Sequence, residues 1–189
     1  MNSNRDALKT QKISITYVAV VLATVLFTWF IHEFAHWTAY KSFGFDAFMS
    51  FNKAGVRGNE FPNTTQQLWA TAAGPMITLL QAIIAYFILQ KKGCNKYIYP
   101  LLFTAFYMRF LAGIMNVISP NDEGVISQYF GLGLFTVSIV MSAILFWMVF
   151  KTSKKYQLTV KFHLFTTLLI MFFSSVLILT DQFIKIELL

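Results

Sequence analysis

The five residues His32-Glu33-Phe34-Ala35-His36 put two imidazoles and a carboxylate near the end of the first long apolar run of the chain. On a helix, residues four apart share a face, so His32 and His36 can aim ring nitrogens at one cation. Glu33 then lies close enough to take a proton from water at that cation, which is the chemistry of metal-assisted hydrolysis. The competing reading is a helix end whose polar side chains snorkel to the headgroups. The cost of burial favours the metal. Two of the three histidines of the chain fall here, and ionisable groups held in hydrocarbon cost roughly a few kcal/mol each unless something binds them.

Such a site needs helices around it. Of 189 residues, 57% are hydrophobic, 17% aromatic and only 12% charged, too apolar for a soluble domain of this length. Apolar runs at Ile13 to Tyr40, Leu68 to Leu89, Tyr97 to Ile118, Ile126 to Phe150 and Leu158 to Thr180 each approach or exceed the ~20 residues that cross a bilayer. The expected fold class is an all-α integral membrane protein with about five transmembrane helices. The first run is longer than a signal-peptide core and has no clear cleavage site, so it is expected to be retained. The net charge of +7 sorts by side of the membrane, which makes nucleic acid an unnecessary partner. Arg5, Lys9, Lys12, Lys91, Lys92, Lys96, Lys151, Lys154, Lys155 and Lys161 face Lys41, Lys53, Arg57 and Lys185. That asymmetry predicts a cytoplasmic N-terminus and a C-terminus outside.

The connection from Lys41 to Gln67 contains Gly44, Gly55, Gly58 and Pro62, and its segment Phe45 to Phe51 alternates like a strand. It is too apolar for an ordinary solvated loop. An interfacial loop and a re-entrant β-hairpin, whose edge could hold an extended peptide near the site, fit it equally well. A catalytic zinc usually takes three protein ligands, so a carboxylate must join the histidines. Asp46, Glu60, Asp122, Glu123, Asp181 and Glu187 are expected on their side. At ~1.5 Å per residue His32 lies about 30 Å along the helix from Lys12, the depth at which Asp122 and Glu123 follow the third run. Ligation by one of these two is expected. Ala72-Ala73-Gly74-Pro75, early in the second run, offers small residues for close helix approach, and Pro75 frees a backbone carbonyl.

His32-Glu33-Phe34-Ala35-His36 with Ala39 and Gly44 downstream, Ala73-Gly74-Pro75, and Asn116 to Gly124, in that order on three successive runs, resemble the site-2 protease family of intramembrane zinc metalloproteases. The likeness covers residues 1–124, read as a three-helix metalloprotease core with a membrane-associated loop. Residues 125–189 then form two additional transmembrane helices. The resemblance implies Zn2+ bound by His32 and His36, water activated by Glu33, and an aspartate after the third helix as the last ligand. It also implies substrate binding at Gly74, Pro75 and Asn116, and cleavage of membrane-spanning proteins or peptides in or near the bilayer.

Two features depart from the family pattern. Thr78 stands where the second motif commonly has asparagine. Three residues separate Asn116 from Pro120, so Asp122 is one residue early and Glu123 precedes Gly124. Asp122 is preferred as ligand because the family uses aspartate; Glu123 is the alternative. No PDZ-like domain is expected within these 189 residues. The rival function is a non-catalytic metal-binding membrane protein that binds or retains membrane partners, which would not require Glu33.

Arg109 lies inside the third run, where no mid-membrane carboxylate is expected, so backbone carbonyls, lipid phosphate or water are its expected partners. His163 is expected at the opposite interface from the metal. Cys94, the only cysteine, is expected to be a reduced thiol without a role.

Overall fold

Ser14 starts the first helix: its side-chain oxygen accepts the backbone N–H of Tyr17, and α1 runs over Ile15–Ser42. The computed structural model describes residues 11–58, 63–92, 95–184 and 187–189. Beyond α1 these form β1 (Ala47–Met49), β2 (Ala54–Val56), α2 (Thr64–Lys92), α3 (Tyr99–Met115), α4 (Asp122–Tyr129), α5 (Thr136–Tyr156) and α6 (Val160–Ile184). Arg5, Lys9, Glu60, Pro62, Cys94 and Lys185 lie outside the described residues.

Four helices, α1, α2, α5 and α6, are long and apolar enough to cross a membrane, so the chain has the make-up of a helical membrane protein. The expected count of five differs at α3, whose 17 residues rise about 25 Å, just short of the ~30 Å hydrocarbon core. The fourth apolar run is also interrupted. Its first residues belong to α4, after which Gly131 and Gly133, at φ 67° and 80°, turn the chain before α5 begins. Glycines weigh little in a hydropathy pattern, so the run reads as continuous although the backbone is not.

The buried residues of α1 include Tyr17, Val21, Thr24, Val25, Thr28, Trp29, His32, Glu33, His36 and Tyr40. Steps of three and four make this one helical face. Its lower part enters the main apolar core with Leu102, Phe103, Leu145, Phe162 and Ile170. Tyr17 also donates to Thr166 Oγ1 at 2.7 Å, the threonine hydroxyl itself donating to the Phe162 carbonyl, which fastens α1 to α6. His32, Glu33 and His36 are therefore the upward continuation of the packing stripe.

The connection after α1 contains a β-hairpin. Ala47 pairs with Val56, Phe48 with Gly55 and Met49 with Ala54. Arg57 N–H donates to Asp46 O and Ser50 N–H to Lys53 O, so by antiparallel alternation the N–H groups of Met49 and Ala54 point away from the partner strand. Met49 on the outer edge of β1 exchanges backbone bonds with Leu188 and Leu189. At the hairpin turn, Asp181 of α6 accepts from the Ser50 hydroxyl at 2.7 Å and from Phe51 N–H at 3.1 Å, and Arg57 pairs with Glu187. The hairpin is thus pinned to the end of α6 on one side and packed on α1 through Ala47, Val56 and Tyr40 on the other.

Asp181→Ala removes the acceptor for two of those bonds, each worth about 0.5–3 kcal/mol. Amide hydrogen exchange over residues 47–56 should accelerate while α1 and α2 keep their protection; unchanged exchange in the hairpin would show that Asp181 does not pin it.

Candidate metal centre

His32 and His36 project from one face of α1 toward α2, and Gly74 is the reason they fit. A Cβ at position 74 would overlap Nε2 of His36 and the ring of His32, so the bare Cα of α2 forms the wall against which both imidazoles lie. Pro75 follows inside the helix. The small residues seen in the sequence act here as a seat for the histidines.

Each ring is oriented through its Nδ1. His36 Nδ1–H donates to the carbonyl of Ala70 at 2.7 Å. The hydroxyl of Thr78 donates to Gly74 O at 3.0 Å, leaving its oxygen to accept from His32 Nδ1–H at 3.1 Å. These bonds fix the tautomers, and both Nε2 lone pairs point into one space. There the two Nε2 atoms stand 3.2 Å apart, and Asp122 Oδ2 lies 3.1 Å from His32 Nε2 and 3.3 Å from His36 Nε2. Three atoms held at 2.0–2.1 Å on a tetrahedral zinc are separated by about 3.3 Å. The triangle is the right size for three ligands of one metal, with the fourth direction left over. Among the described residues, His32, His36 and Asp122 are the group with this spacing.

Asp122 arrives from another part of the chain. Asn116 is buried after α3, donates its side-chain amide to Ser138 Oγ at 2.9 Å and accepts Asn121 N–H at 2.8 Å through Oδ1. The Asn121 amide donates to the Ala112 carbonyl, and Gly124 leaves room for Asn116, whose Oδ1 a Cβ there would overlap. This braced loop delivers Asp122 and Glu123 to the first turn of α4, where the helix dipole favours carboxylates. Burial works against ionisation of Asp122, but the two histidines at its side outweigh it, holding the carboxyl well below the usual range.

Glu123 turns the other way. It is fully buried and accepts from Arg109 Nη1 at 2.9 Å, while the same nitrogen is 3.7 Å from Asp122 Oδ2 and Nη2 is 3.5 Å from His32 Nε2. Burial pushes the Glu123 carboxyl up, with the Arg109 charge acting against it. Arg109 therefore has a carboxylate partner, contrary to the expectation of backbone, lipid or water. The chain fold brings α4 back against α3, which the linear sequence does not display. Of the other carboxylates considered, Asp46 pairs with Lys41 and Arg57, and Asp181 and Glu187 hold the hairpin region. His163 bonds Tyr99 at 3.0 Å, near the start of α6.

Glu33 is buried beside the triad and engaged by the backbone of Ala54, on the outer edge of β2. A cavity of about 180 Å³ is lined by His32, Glu33, His36, Tyr40, Asn52, Lys53, Ala54 and Asp122. It joins the triad to exposed Lys53, and a water needs only about 10–15 Å³ of such space. Thr78 and the Ala70 carbonyl are the contributors that sequence reasoning missed; a threonine four residues after Gly74 was the available signal. No protein-family model, curated protein or solved structure matches the chain.

Thr78→Val preserves shape and removes the oxygen that orients His32. Metal affinity, read by competition with a chromophoric chelator, should fall about 10–100-fold; parental affinity would show that the Thr78 bond does not set the ligand.

Proposed function

We propose that the chain is an intramembrane metalloprotease of the site-2 type, with a zinc ion held by His32, His36 and Asp122 and the general base supplied by Glu33. The observation that carries this reading is the 3.1–3.3 Å triangle of acceptor atoms whose remaining imidazole nitrogens are already engaged. Two imidazoles and one carboxylate suit zinc, and a set of three leaves a position for reactant. A purely structural site would have no need of a second carboxylate beside it. Glu33 is that carboxylate.

Bound in this site, zinc would supply Lewis acidity, polarising a carbonyl and making water more acidic. Glu33 takes the proton of the attacking water and later delivers it to the departing amine. Ala54 holds Glu33 at the cavity wall, and the cavity admits the water that hydrolysis consumes. Because the outer edge of β1 is engaged by Leu188 and Leu189, the β2 edge facing Glu33 is the one on which an extended substrate segment would lie. The substrate is a membrane-spanning protein or peptide that unwinds locally, since a helix has no backbone groups to spare for a strand edge. The N-terminus lies in the cytoplasm and the site toward the outer face, by the distribution of basic residues.

Metal analysis and a membrane-peptide cleavage assay on purified protein test the proposal. Glu33→Gln should keep the metal and lose about 10²–10⁴ of the cleavage rate, whereas His36→Ala should lose both. Parental cleavage by Glu33→Gln, or a parent without metal, would overturn it.

A further inference from the structure

Arg109 brings a permanent positive charge to a site that must hold a cation. Its Nη2 is 3.5 Å from the His32 nitrogen that would ligate, and its Nη1 is 3.7 Å from the Asp122 oxygen that would ligate. At these separations, inside a buried site, like charges repel strongly. Glu123 lies on the same Nη1 at 2.9 Å. Among the described residues its second oxygen is buried without a hydrogen-bond partner, and the guanidinium holds the first.

Two acidic residues in succession thus meet one arginine, and their fates differ. Asp122 faces the histidines and Glu123 faces Arg109. Were Glu123 released, a second carboxylate adjacent to the triad could compete for the position that a reactant needs. Were Arg109 left without Glu123, its charge would oppose metal binding.

We infer that Arg109 and Glu123 are a positioning pair for the metal centre: Arg109 holds Glu123 off the cation, leaving Asp122 as the carboxylate ligand, and Glu123 neutralises Arg109 so that a cation can bind beside it. This rests on the metal reading of the triad. It gives the two members opposite effects on metal binding, which a pair serving only to tie α3 to α4 would not have.

Cobalt(II) is a suitable probe, because its visible absorption is strong in four-coordinate sites and weakens as ligands are added. Glu123→Gln should weaken cobalt binding by about tenfold or more, the range seen when a partner of a metal ligand is lost. Arg109→Gln should bind at least as tightly as the parent but with weaker absorption, as Glu123 joins the metal. The double variant Arg109→Gln/Glu123→Gln should regain parental affinity within about twofold and the parental spectrum. If Arg109→Gln does not fold, the recovery of the double variant over Glu123→Gln decides. Equal losses in both single variants, or no recovery in the double, would overturn the inference while the triad still binds cobalt in the parent. A parent that binds no cobalt would overturn the metal reading as well.

Discussion

Two imidazole lone pairs and a carboxylate oxygen lie within 3.3 Å of one another, and atoms of that kind repel unless positive charge is shared among them. Both Nδ1 atoms are committed elsewhere, so turning a ring to escape would strand a buried donor. Arg109 approaches His32 and Asp122, but its shortest bond goes to Glu123, and His36 Nε2 faces His32 and Asp122. A small cation among the three atoms would resolve the conflict, at the separations a tetrahedral ion requires.

Much of the surrounding structure follows from holding that triangle. The stripe of α1 that packs the core below continues into His32 and His36 above without a change of face, so the helix that stabilises the bundle also orients the imidazoles. Gly74 gives them a flat seat, Thr78 and Ala70 fix their rotation, and the Asn116 bracing brings the third atom from α4. The hairpin closes the remaining side. Its turn is tied to α6 by Asp181, and the outer edge of β2 engages Glu33, so a segment distant in sequence steadies the wall of the cavity.

The parts visible in the sequence were those with a local pattern. Long apolar runs revealed α1, α2, α5 and α6, alternation in Phe45 to Phe51 indicated a strand, and the spacing of His32 and His36 indicated a shared helical face. What depended on the chain folding back was not visible. The resemblance favoured Asp122 over the adjacent Glu123, but the physical difference between them, Asp122 facing the histidines and Glu123 facing Arg109, lay in the fold. The partner of Arg109 was hidden because Glu123 lies fourteen residues away across a turn that returns α4 to α3. The break in the fourth run was hidden for a different reason: Gly131 and Gly133 bend the backbone without lowering its hydropathy enough to end the pattern.

The proposed chemistry stands or falls on a cation bound by two imidazoles and one carboxylate. X-ray absorption at the zinc edge of purified protein, with metal per chain determined on the same sample, addresses it directly. About one zinc per chain is expected, with nitrogen and oxygen neighbours at about 2.0–2.1 Å, fewer than five in number, and an imidazole signature. Purified protein without bound metal, or zinc surrounded by six oxygens with no imidazole signature, would contradict it.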